Sequence, residues 1–138
     1  MYEKEALKNI LTKNPAQKII LLVDDDEDEH EIFLSALKNT ECSYDFISAG
    51  SCEEALDLLK TLQPDFIFID VNMPKTNGMV CLKEIKKMNR VANVPVYMYS
   101  TGINAEEGKK ALQIGAVDYI IKPSNIATLS GLLRKILH

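Results

Sequence analysis

Three carboxylates, a hydroxyl and an ammonium stand at the ends of apolar runs in this sequence. Asp24, followed by Asp25, closes KIILLVD; Asp70 closes DFIFID; Ser100 closes VPVYMYS; Lys122 closes DYIIK. Carboxylates brought within a few ångströms of one another repel. At an effective dielectric near 20, two charges ~4 Å apart cost about 4 kcal/mol. Such a cluster must take up protons or bind a cation. Hard oxygen donors with room for water favour Mg2+, which keeps several waters and takes one or two carboxylates plus a phosphate oxygen. Lys122 supplies a further positive charge. A divalent ion with an ammonium beside a carboxylate suits phosphoryl transfer, where positioning and charge neutralisation do most of the catalysis. An Asp in that setting can be the nucleophile and hold the phosphoryl group covalently.

These groups meet only if the runs that end in them lie side by side. Residues 18–24, 65–70, 94–100 and 118–122 are apolar on both faces, as buried parallel strands are, and residues 43–49 (SYDFISA) form a weaker, alternating run. Between and after them lie five stretches with helical spacing. The first carries Ile32, Phe33, Ala36 and Leu37. The second carries Ala55, Leu56, Leu59 and Leu62 and opens with Ser51-x-x-Glu54, a capping box. The third carries Leu82, Ile85 and Met88. The fourth opens with Asn104-x-x-Glu107 and carries Ala111 and Ile114; Gly108 inside it and the shortage of large apolar residues make it the least stable helix expected. The fifth carries Ile126, Leu129, Leu133 and Ile136. Five β–α repeats with right-handed crossovers predict an α/β fold, a flavodoxin-like (βα)5 three-layer sandwich with a five-stranded parallel sheet in the order 2-1-3-4-5. Ligands of such sheets bind outside the carboxyl ends of the strands, at the switch point between the first and third. The chemistry-bearing residues are at those ends.

Composition bounds the rest. The 138 residues fit one domain, and 46% hydrophobic with 26% charged residues is an ordinary globular balance. The formal net charge is −4, but six of the 20 acids are consecutive, Asp24 to Glu29, so the remaining chain is close to neutral. Asp26-x-x-Glu29 reads as a capping box opening the first helix, with acids suited to its dipole. No basic tract supports nucleic-acid binding. No apolar run approaches the roughly 18 residues that span a bilayer, and no secretory signal is visible, so a cytoplasmic location without membrane insertion is expected. Cys42, Cys52 and Cys81 are widely separated and expected as reduced thiols; His30 and His138 are expected to be solvated on helices. Residues 1–17 form an N-terminal extension, either a short helix using Leu7, Ile10 and Leu11 or a tail; residues 18–138 form the domain.

The residues resemble the receiver domains of two-component response regulators. The matching pieces are Val23-Asp24-Asp25, Asp70-Val71-Asn72-Met73-Pro74 followed by Gly78, Ser100-Thr101, and Tyr119-Ile120-Ile121-Lys122-Pro123, in order and each at an expected strand end. The resemblance implies a phosphorylation-dependent switch. Asp70 would accept phosphate from a sensor histidine kinase or phosphotransfer protein. Asp25 and Asp70 would hold Mg2+ through their carboxylates and Asn72 through its main-chain carbonyl, with Asp24 acting through water or by setting the charge. Lys122 would pair with Asp70 and then with the phosphoryl group. Ser100, where the family often has Thr, would donate its hydroxyl to a phosphoryl oxygen. Tyr119 would be the aromatic rotamer switch, although an aromatic in a buried strand is also an ordinary core residue. The fourth helix, fifth strand and fifth helix would form the face that controls a downstream protein. With no output domain following, the chain resembles stand-alone, chemotaxis-type single-domain receivers. It would not be a conventional enzyme, though it would catalyse its own Mg2+-dependent phosphorylation and dephosphorylation.

Two other functions compete. One is a phosphorylation-independent interaction domain on the same fold, which the complete acid, hydroxyl and lysine set argues against. The other is an Asp-nucleophile phosphohydrolase of the haloacid-dehalogenase type, which wants a second Asp where this sequence has Asn72.

Overall fold

The computed structural model describes residues 18–74, 77–102 and 105–137. The elements alternate throughout: β1 (Lys18–Val23), α1 (Glu27–Asn39), β2 (Tyr44–Ala49), α2 (Cys52–Leu58), β3 (Phe66–Ile69), α3 (Gly78–Lys86), β4 (Val96–Ser100), α4 (Ala105–Ile114), β5 (Asp118–Ile121) and α5 (Ile126–Ile136). All neighbouring strands pair in parallel, in the order β2-β1-β3-β4-β5. This is the flavodoxin-like order expected from the repeat.

The apolar strand runs sort by the two-residue side-chain period. Leu21, Val23, Ile67, Ile69, Val96 and Met98 face α2, α3 and α4, where they pack on Ala55, Leu58, Leu82, Ile85 and Ala111. Ile20, Leu22, Phe68 and Tyr99 face α1 and α5, where they pack on Phe33, Ala36, Leu37, Leu129 and Leu133. Aromatic rings concentrate on this second face. Phe33 lies 5.6, 5.1 and 5.8 Å from the ring centroids of Phe46, Phe68 and Tyr99. The central strands are buried on both sides, which is why they read as continuous apolar runs.

The helices depart from the sequence pattern in instructive ways. The regular part of α2 ends at Leu58, but Leu59 and Leu62 stay buried through the following turn. Ser51 caps α2 by accepting from Glu54 N, while the Glu54 carboxylate accepts from Gly50 N at 2.6 Å, one residue before the cap. In α5 the buried stripe is Leu129, Ser130 and Leu133, and Ile126 is exposed. Ser130 can be buried because its hydroxyl donates to Ala36 O at 2.9 Å, tying α5 to α1. Ala111 is the one buried residue described in α4, in keeping with its expected weakness. The expected cap at Asn104, His138 and the extension 1–17 lie outside the described residues.

Cys52 and Cys81, expected as separate reduced thiols, are joined in a disulfide. They sit on facing helices, α2 and α3, on the same side of the sheet, with Cα atoms 5.6 Å apart, within the usual range for a disulfide. Their separation of 29 residues along the chain concealed a tertiary contact. Cys42 is a free thiol.

Candidate functional site

Four of the predicted site residues follow or end a strand and are held by the sheet's own ladder. Asp24 N donates to Ala49 O at 2.9 Å, Asp70 N to Val23 O at 2.9 Å, and Lys122 N to Ser100 O at 2.8 Å. The ladder therefore brings Asp24, Asp70, Ser100 and Lys122 to one edge at the carboxyl ends of β1, β3, β4 and β5. Asp24 and Ser100 are fully buried and Asp70 is 5% exposed, whereas Asp25 is open to solvent. Carboxylate oxygens of Asp24, Asp25 and Asp70 lie within 4.8 Å of one another.

The buried carboxylates are partnered as buried charges must be. Asp24 accepts from Asp26 N through Oδ1 at 3.0 Å and from Lys122 Nζ through Oδ2 at 2.9 Å. Asp70 accepts from Asn72 N through Oδ1 at 3.1 Å, and its Oδ2 is 3.7 Å from Lys122 Nζ. The lysine expected to pair first with Asp70 is thus nearer Asp24. Burial raises the Asp70 carboxyl above its ordinary pKa and the charge of Asp24 adds to this; the Asn72 N–H and Lys122 only partly oppose it. Burial works against the Lys122 charge, but the hydrogen bond and charge of Asp24, with Asp70 and Glu29, hold its pKa above the usual lysine value. Lys122 Nζ also lies 5.3 Å from the ring centroid of Tyr99.

Ser100 Oγ accepts from Asn72 Nδ2 at 2.9 Å. This bond crosses from the segment after β3 to the end of β4. The Asn72 side chain therefore engages the hydroxyl, a contact the sequence did not suggest. The Tyr119 ring packs into the core, with its hydroxyl buried and without a hydrogen-bond partner. Burial, helped by the charge of Glu107, pushes that hydroxyl up to about 12. Gly108 of α4 faces this ring: a Cβ there would lie 3.4 Å from Tyr119 Cδ2. Gly78, the first residue of α3, donates to Val71 O at 2.9 Å and packs directly on the backbone of Asp70 and Val71.

Three nearby groups escaped the sequence. His30 was expected in solvent but is 7% exposed, and its Nε2 lies 2.5 Å from Asp24 O. It falls on the buried stripe with Phe33 and Leu37, so the helical period held the signal. Tyr99 is 2% exposed and lies beneath Lys122. Glu29 does not complete the expected capping box. Asp26 caps α1 by accepting from Asp28 N at 2.9 Å. The Asp26 N–H that a box would offer Glu29 is engaged by Asp24. Glu29 turns instead toward Lys122, with Oε2 3.7 Å from Nζ.

The donor set fits a hard divalent cation such as Mg2+. The three carboxylates are convergent oxygen donors, the buried Asp70 resists carrying its charge unaided, and Asp25 leaves an open side for water.

The family model described as "Response regulator receiver domain" matches residues 20–134. Among curated relatives, the probable C4-dicarboxylate response regulator DctR of Bacillus subtilis (strain 168) is 37% identical over 120 residues, covering 84% of this chain and 50% of the relative. The chain spans about half the length, or less, of the curated relatives it matches. Among solved structures, the phosphorylated cyanobacterial phytochrome response regulator RcpA superposes with a TM-score of 0.79 at 28% identity, over 88% of this chain and 91% of that one. Vibrio cholerae chemotaxis protein CheY4 gives 0.78 at 26% identity, over 88% and 99%.

Proposed function

The chain belongs to the response regulator receiver family, and on that premise we propose that it is a phosphorylation-dependent signalling switch with Asp70 as the phosphoryl acceptor. The observation that carries this reading is the convergence of Asp24, Asp25 and Asp70 within 4.8 Å beside the Lys122 ammonium. The family match and the likeness to the phosphorylated response regulator RcpA support it.

In the proposed reaction the Asp70 carboxylate attacks the phosphorus of a phosphohistidine on a sensor histidine kinase or phosphotransfer protein. An Oδ–P bond forms, the P–N bond breaks, and the histidine ring leaves and takes up a proton. Asp25 and Asp70, with the main-chain carbonyl of Asn72, would hold Mg2+, and Asp24 would anchor Lys122 beside them. A bound Mg2+ supplies charge neutralisation at the oxygens of donor and acceptor. Lys122 swings its ammonium to the transferred oxygens. Ser100 gives up the Asn72 amide and donates its hydroxyl to a phosphoryl oxygen. Tyr119 turns into the space this vacates, which alters the face formed by α4, β5 and α5. A weakly buried α4 makes that face the natural bistable element. The chain accelerates its own phosphorylation and dephosphorylation and acts on a downstream protein.

Beryllofluoride with Mg2+ mimics the acyl phosphate and tests this switch. It should raise Tm and alter the tyrosine spectra of the wild-type chain, and do neither in Asp70→Asn. An unchanged wild-type protein would favour a phosphorylation-independent interaction domain instead.

A further inference from the structure

The acidic run that follows β1 divides between three tasks. Asp24 and Asp25 belong to the carboxylate cluster, and Asp26 caps α1. Glu29 is spare: its capping partner is already satisfied and its carboxylate reaches the site lysine. Lys122 Nζ has three N–H donors. Asp24 takes one at 2.9 Å, while Asp70, just past the end of β3, and Glu29, on α1, both lie at 3.7 Å. The Lys122 side chain is only 9% exposed, so these carboxylates rather than water set where its charge points. Glu29 also lines, with Ile32, Tyr99, Thr101 and Lys122 itself, a groove of about 540 Å³.

We propose that Glu29 is a positioning residue that competes with Asp70 for Lys122 and thereby slows phosphorylation of the site. This inference rests on Asp70 being the acceptor. An incoming phosphoryl group is an anion, and Lys122 must turn to its oxygens as the Oδ–P bond forms. A second carboxylate at the same 3.7 Å from the ammonium holds part of that charge to itself. The same carboxylate adds to the negative charge that an anionic donor meets at the site. Both effects act against the charged donor; added salt screens the longer-range repulsion, while the 3.7 Å contact with the buried ammonium is screened much less.

The test uses the full chain and acetyl phosphate at saturating Mg2+, with the second-order rate constant of phosphorylation as the readout. Glu29→Gln removes the charge and keeps the shape. It should raise the rate constant about three- to tenfold at low salt, with only the part due to longer-range repulsion lost as salt is added. Glu29→Asp keeps the charge and should stay within about twofold of wild type, which separates charge from packing. An unchanged or slower Glu29→Gln would overturn the proposal. The Asp70→Asn variant is measured alongside. If it is inert and Glu29→Gln is unchanged, the role of Glu29 alone fails; if Asp70→Asn is phosphorylated, the acceptor assignment fails and this inference with it.

Discussion

Gly78 and Gly131 offer a matched pair whose responses to the same substitution should have opposite signs. Both lie in helices, and in an ordinary helix Gly→Ala stabilises by about 0.5–1 kcal/mol. Gly131 of α5 has nothing within 4 Å of where a Cβ would stand, so Gly131→Ala should follow that rule. Gly78 is different. A Cβ there would stand 2.7 Å from Val71 Cα and 2.9 Å from the Asp70 carbonyl carbon, and would overlap the Asp70 carbonyl oxygen outright. Ordinary carbon–carbon contact is about 3.5–4.0 Å, so the overlap approaches ~1 Å. Every obstructing atom is backbone, so no side-chain rotation relieves it. Either α3 lifts off β3 or the end of β3 shifts. Overpacking of this kind costs about 1–3 kcal/mol, and we expect a net loss of about 2 kcal/mol for Gly78→Ala. For a domain of this size that is a fall in Tm of about 8 °C. Because the shift falls on Asp70 itself, phosphorylation by acetyl phosphate should slow about tenfold or more. Urea unfolding followed by far-UV circular dichroism gives the first quantity and intact mass against time gives the second. A Gly78→Ala protein as stable as Gly131→Ala and phosphorylated at the wild-type rate would refute the packing of α3 on the acceptor strand.

Three further perturbations test the electrostatics and the cross-link. The folded-state pKa of Asp70 is raised, so the folded chain holds a proton there in the window between about 3.8 and that raised value, where the unfolded chain has lost it. Stability therefore falls as pH rises through the window, and the penalty is complete above it. Asp70→Asn has no such penalty: it should be more stable than wild type at neutral pH, with the advantage vanishing toward pH 4, and a pH-independent difference in unfolding midpoint would contradict this. Lys122→Met leaves the fully buried Asp24 carboxylate without its ammonium and should lose about 3–5 kcal/mol, partly restored by Mg2+; unchanged unfolding without Mg2+ would show that Lys122 does not neutralise the cluster. The Cys52–Cys81 disulfide closes a loop over a separation of 29 residues, so reductant should lower stability by about 3–4 kcal/mol, whereas identical urea midpoints with and without reductant would deny it.

The sheet and the site were legible in the sequence because both rest on short-range patterns. Continuous apolar runs such as KIILLVD and DFIFID are what a strand covered on both faces requires, and each terminates on a residue that the ladder then fixes at the carboxyl edge. The order of the runs sufficed to place Asp24, Asp70, Ser100 and Lys122 together. What remained hidden depended on contacts between elements. Cys52 and Cys81 meet only because α2 and α3 cover one face. Ser130 replaces an apolar residue in the α5 stripe only because Ala36 O is there to accept from it. Glu29 read as half of a capping box, and its reach to Lys122, just after β5, is a contact between elements. His30 was a miss that local pattern could have prevented, since it falls on the stripe of Phe33 and Leu37.

The acceptor assignment is tested most directly by intact mass after incubation with acetyl phosphate and Mg2+, with peptide mapping of any gain. The wild-type chain should gain the mass of one phosphoryl group, located on Asp70, and Asp70→Asn should gain none. A gain that persists in Asp70→Asn, or a wild-type chain that never gains it, would contradict the account.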